Sequence, residues 1–246
     1  MPSSRLPSRP SSAPDFLLSR TSGSVRTQGV ERTFTDVREA SAALTRGEVE
    51  MVVGALPFNK AEPAALTVPA SIIREPGILN PHPYYREGPG AVLHARVAGV
   101  DPSPEEHLRR VALTVDEIRR TALEKVVLAR AVDIAFDPPV DPRLVAARLI
   151  DLAASGDGFI ADLSPAGRDG HFLVGSSPEV LVKRQGVRVS SYPLAGSAAR
   201  KIDDPVADAA AGERLASSAK DLEEHRFVVE HIRDILAPFC TELTVP

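Results

Sequence analysis

Residues 175–200 read GSSPEVLVKRQGVRVSSYPLAGSAAR. Two runs rich in β-branched side chains flank Gln185-Gly186, and the segment reads as two strands joined by a tight turn. Glu179 stands at the head of the first run, after Ser176, Ser177 and Pro178. Proline restricts the turn, so the carboxylate projects from a strand end, a common place for functional groups. In a partly dry site its pKa would rise and it could act as a general acid. The plainer reading is a solvent-facing turn glutamate. Residues 194–198, LAGSA, follow the second run. Small side chains let backbone amides approach a ligand, and Ser197 adds a hydroxyl; a bulge or tight bend would use the same residues.

Downstream, helical patterns run from about residue 206 to 236. Leu222, His225, Val229, Ile232 and Leu236 recur at helical spacing and form an apolar stripe. Asp221 and Glu224 lie three apart on one border of it, while Glu223 points away. Half-buried paired carboxylates are costly unless a cation or donor satisfies them, and magnesium prefers oxygen ligands. The alternative is a carboxylate pair bonded to Lys or Arg. His225 reads as a hydrogen-bonded core histidine.

Upstream, residues 124–136, EKVVLARAVDIAF, are too β-branched for helix and read as a strand with Lys125 at its lip. Such a lysine either loses charge by desolvation and serves as a base, or snorkels to water. Before it, Ser103 caps a helix with Pro104 at its first position and Glu106 placed for a capping box. Leu108, Val111, Val115, Ile118 and Ala122 predict one buried stripe on that helix. A second helix starts at Asp141-Pro142 and runs to about residue 154. A third spans 35–46, with Thr35 as its expected cap and Gly47 as its stop. FLLSR, SVRTQG, MVVGAL, LTVPASIIREP, GFIADLS and HFLVGSS read as further strands. Hairpins mixed with helices define an α+β (mixed α/β) fold.

The 246 residues carry 33 acidic and 29 basic side chains, the basic ones spread along the chain, which argues against a nucleic-acid or polyanionic-membrane partner. The single cysteine, Cys240, excludes an intrachain disulfide and makes a Cys-based zinc site untenable; a cytoplasmic home is expected. Apolar runs are too short to span a bilayer. Residues 1–15, rich in Ser, Pro and Arg, are expected to form a disordered arm ahead of a folded domain over 16–246.

Three segments together, residues 175–200, EKVVLARAV at 124–132 and SSAKDLEEHRFVV at 217–229, resemble the chorismate-utilising enzymes, most closely the siderophore-type isochorismate synthases. The resemblance covers the chain from about residue 16 and implies the chorismate-binding fold, with antiparallel sheets and outer helices. It implies chorismate as substrate and Mg²⁺ as cofactor. Lys125 would activate water to attack C2, and Glu179 would protonate the departing C4 hydroxyl. Glu224 would bind the metal with Asp221 in support, and Gly196 and Ser197 would line the substrate pocket. Lys125 stands where the related anthranilate synthases look to have glutamine, and Ala195 where aminodeoxychorismate synthases carry a nucleophilic lysine, so water is the implied nucleophile. Salicylate synthase, which uses the same base and acid before eliminating pyruvate, is the enzymatic rival. Family members continue beyond the equivalent of Pro246, so the resemblance implies a C-terminally truncated chain, monomeric when full-length. The part beyond would bring a second metal carboxylate, an arginine and several strands. A non-catalytic fragment is the rival from another class.

Overall fold

The computed structural model describes residues 13–86 and 91–245. In chain order the elements are β1 Phe16–Arg20, β2 Gly23–Gln28, β3 Arg32–Phe34, α1 Val37–Thr45, β4 Val53–Ala55, β5 Ala65–Val68, β6 Ser71–Glu75 and β7 Ala95–Asp101. There follow α2 Pro104–Arg120, β8 Ala131–Phe136, α3 Pro142–Leu152, β9 Gly158–Asp162, β10 Phe172–Gly175, β11 Val180–Gln185, β12 Arg188–Tyr192, α4 Pro205–Ala216 and α5 Ala219–Leu236. They divide into two compact units: one holds the residues up to Pro102 with Arg130–Pro178, the other Ser103–Ala129 and the residues from Glu179 on.

The first unit is built on an antiparallel sheet ordered β10-β9-β1-β2-β6. In β1 alternate side chains face inward, so Leu17 and Ser19 are buried while their neighbours are half-exposed. Leu17 packs with Ile160 of β9, Ala146 and Ile150 of α3, and Leu79. Ser19, fully buried, donates its hydroxyl to the Gly156 carbonyl at 2.7 Å and accepts from the Leu79 N–H at 3.0 Å. A buried hydroxyl so satisfied costs little, whereas an orphaned one costs about 1–3 kcal/mol. A three-stranded sheet, β3-β5-β4, packs Phe34, Leu66 and Val68 against Ala40 and Ala43 of α1. β7 and β8 form a separate antiparallel pair.

Of the arm expected over residues 1–15, residues 1–12 lie outside the described residues. Ala13 is 4 % exposed and packs with Tyr85, Leu144 and Ala147, while Pro14 and Asp15 bond the buried Arg143 guanidinium. Folded structure therefore reaches back at least to Ala13. The cap of α1 is Asp36, not Thr35: the Asp36 carboxylate accepts from the Arg38 N–H at 2.6 Å. LTVPASIIREP forms two strands, β5 and β6, divided at Pro69 and Ala70. β3 and β7 were not anticipated, being short or poor in strand-forming side chains.

The second unit contains α2, the β11–β12 hairpin, α4 and α5. The hairpin turns through Gly186 and Val187, with Gly186 at a φ of 60°, which glycine adopts without strain. The helical patterns expected over 206–236 form α4 and α5. They divide at Ser217 and Ser218, and Ser218 caps α5 by accepting from the Asp221 N–H at 3.4 Å.

Local pattern and tertiary outcome part at α2 and just after it. Composition predicts strand over 124–130, yet only β8, from Ala131, joins a ladder; 124–130 lie outside any strand. β-branched composition describes fitness for a pleated surface, and without a neighbouring strand it produces none. Spacing predicts a buried stripe on α2, yet no residue of α2 is buried and Leu108 is 69 % exposed. The apolar spacing is real, but the face is only partly covered, with Ile118 half-buried.

Candidate active site

All six candidate site residues belong to the second unit. Ser218 sets the start of α5, and that register fixes which face Asp221 and Glu224 share. Both are half-buried, as expected of residues at the edge of an apolar stripe.

Lys125 comes from the segment after α2, 99 residues before Glu224. Its Nζ lies 3.5 Å from the Glu224 Oε1 and 3.5 Å from the Glu224 carbonyl oxygen. Both side chains are partly screened from water, 29 % and 39 % exposed. They share a surface hollow with Ile118, Val126, Lys220 and Phe227. Lys125 thus leans on the helix from an irregular segment and not, as expected, from the lip of a strand.

Gly196 meets the same helix one turn earlier. Its φ is 80°, and a β-carbon there would fall 2.9 Å from the Asp221 Cβ and 3.1 Å from its Oδ1. A side chain at this position would therefore be strained and would push Asp221 aside. Ser197, next along, is exposed. Glu179 accepts from the Leu194 N–H through Oε1 at 3.2 Å, so the strand-end carboxylate reaches the segment that carries LAGS. It is exposed, not partly dry as expected. His225 is half-buried, and its Nε2 lies 3.1 Å from the Pro193 carbonyl. The expected hydrogen bond is there, at a partly open position.

The structure therefore pairs Lys125 with Glu224, Gly196 with Asp221, and Glu179 with the Leu194 amide. The last anchor is a backbone group, for which side-chain patterns hold no signal. Among the described residues no group of three or more His, Cys, Asp or Glu could hold a metal ion. The two α5 carboxylates offer hard oxygen donors, and Mg²⁺ commonly takes one or two carboxylates and keeps waters. As a donor set they fit that ion.

The chorismate binding enzyme family model matches residues 87–246. The chain belongs to this family, and its α+β architecture is the chorismate-binding fold. Within the family its similarity lies with the isochorismate synthases. MenF of Mycobacterium tuberculosis, provisionally assigned as one, is 42 % identical over 237 residues, covering 95 % of this chain and 62 % of MenF. Isochorismate synthase DhbC of Bacillus subtilis is 34 % identical over 198 residues, 80 % of this chain and 49 % of its own length. The solved structure of a Bacillus anthracis DhbC, provisionally a 2,3-dihydroxybenzoate-specific isochorismate synthase, matches with a TM-score of 0.80 at 29 % identity. That match covers 95 % of this chain and 62 % of the other. The chain thus spans less than two thirds of the length of these relatives. No helix among the described residues is long and apolar enough to cross a membrane.

Proposed function

We propose that the chain carries the base and acid of an isochorismate synthase, an isomerase that converts chorismate to isochorismate for siderophore or menaquinone biosynthesis. Lys125 pairs with Glu224 as the ammonium and acts as the amine, accepting a proton from water as the water oxygen bonds to C2. Both ring double bonds shift together, C1=C2 to C1=C6 and C5=C6 to C4=C5, and the C4–O bond breaks. Glu179 gives its proton to the departing hydroxyl, which leaves as water, so one water enters and one departs. Gly196 and Ser197 line the substrate pocket. Asp221 and Glu224 hold Mg²⁺, which when bound neutralises the substrate carboxylate. The observation that most supports this reading is the meeting of Lys125 with Glu224 across 99 residues, which puts the expected base beside the expected metal ligand.

The test is chromatographic detection of isochorismate from chorismate and Mg²⁺. It uses the 246-residue chain alone and extended to the length of its relatives. Lys125→Ala and Glu179→Gln should each lower kcat by about 10²–10⁴-fold in the active form, with an unchanged circular dichroism spectrum. Turnover like that of the parent in either variant removes that residue from the mechanism. Salicylate and pyruvate among the products would move the assignment to salicylate synthase.

A second reading, a chain that binds but does not turn over until completed by further polypeptide, draws support from the second unit. Ala211 is its only buried residue among those described. Activity only in the extended form would favour it.

A further inference from the structure

A single peptide group joins the proposed acid to the helix that carries the carboxylates. The Pro193 carbonyl and the Leu194 N–H belong to one planar amide. At its oxygen end, His225 Nε2 lies 3.1 Å away; at its nitrogen end, the N–H donates to Glu179 Oε1 at 3.2 Å. A carbonyl only accepts, so Nε2 carries the proton and the imidazole donates. Hydrogen bonds at the two ends of one amide polarise it in the same sense and strengthen each other.

The proline makes this arrangement directional. Its ring locks φ, so the plane of the following peptide turns about ψ of Pro193. The His225 bond to the carbonyl fixes that rotation, and with it the direction of the Leu194 N–H. Glu179 is an exposed, long side chain whose rotamers differ in where they place the carboxylate. A donor of fixed direction selects among them.

We propose that His225 is a positioning residue: through the Pro193–Leu194 peptide it aims the Glu179 carboxylate, tying the acid to the same helix as Asp221 and Glu224. The proposal rests on the reading of Glu179 as the acid, but its test needs neither substrate nor turnover. Residue-resolved amide hydrogen exchange is measured on the full chain, on Glu179→Ala, which removes the acceptor, and on His225→Leu and His225→Gln. The Gln amide reaches about as far as Nε2 and keeps a donor.

Exchange at Leu194 should quicken about five- to tenfold in His225→Leu, approaching the rate in Glu179→Ala, while α5 amides keep their protection. His225→Gln should return it to within about twofold of the parent. If His225→Leu loosens α5 as a whole, the Gln variant decides: parent-like protection at Leu194 supports the proposal, and Glu179→Ala-like exchange on an intact α5 overturns it. Parent-like protection in His225→Leu overturns it, as does a parent rate equal to that of Glu179→Ala. A chain that passes this test yet forms no isochorismate keeps the positioning role and loses the enzymatic reading.

Discussion

At the scale of single residues, the Lys125–Glu224 pair sets a competition. The carboxylate proposed to hold Mg²⁺ already has an ammonium 3.5 Å away. Both groups are partly open to solvent, so screening limits the pair to about 0.5–1 kcal/mol. Any cation that takes Glu224 has to displace that attraction. Lys125→Met should therefore bind Mn²⁺, a spectroscopic stand-in for Mg²⁺, about two- to fivefold more tightly in a titration without substrate. Equal or weaker binding would mean that the lysine does not contest the metal position. Gly196 belongs to the same scale: its left-handed backbone lets the LAGS segment close against Asp221. From sequence it is only one small residue among several, and the need for glycine shows in the backbone angle.

At the scale of the element, α2 has clear local signals and an unexpected use of one. Ser103 accepts from the Glu106 N–H at 3.2 Å, the expected cap. The Glu106 carboxylate, however, does not return to complete a capping box. Hydrogen bonds from Arg109, and next from Arg110, hold its pKa down at about 2. Because the folded pKa lies below the ordinary 4.5, the stabilisation is fully present above pH 4.5 and is lost as pH falls towards about 2. Helicity should decline over that window, and Glu106→Gln should flatten its own share of the decline in a far-ultraviolet circular dichroism titration. An identical acid profile in the variant would show that these ion pairs carry none of it. The α2 stripe teaches a different point. Helical spacing of Leu108, Val111 and Val115 identifies the face that is able to be buried, but burial needs an opposing surface, and spacing within one helix holds no information about that.

At the scale of the whole molecule, the two units differ in how they treat apolar surface. The first buries Leu17, Ile160, Leu66 and Val68 in clusters between sheet and helix. In the second, Leu181, Leu222 and Ile235 are all more than half exposed, and an apolar hollow runs along α5 past Val229, Ile232 and Leu236. Exposed apolar surface of this extent marks an interaction site or an aggregation liability. The chain should therefore bind the dye ANS at neutral pH while keeping native far-ultraviolet circular dichroism. Extension to the length of its relatives should reduce that fluorescence several-fold. Unchanged fluorescence in the extended form would mean that the added polypeptide does not cover these faces.

The sequence by itself determined what depends on neighbours a few positions away. The caps at Ser103 and Asp141, the β11–β12 hairpin and the shared face of Asp221 and Glu224 all follow from such local rules. The family was legible too, because three short segments carry its wording. Only the tertiary structure decided that Lys125 reaches Glu224, that Glu179 takes its hydrogen bond from a backbone amide, that residues 124–130 stay out of any ladder, and that no residue of the α2 stripe is buried. Each of these depends on which distant segment packs against which, and that is set by the whole chain's burial and hydrogen-bond satisfaction and not by any local pattern.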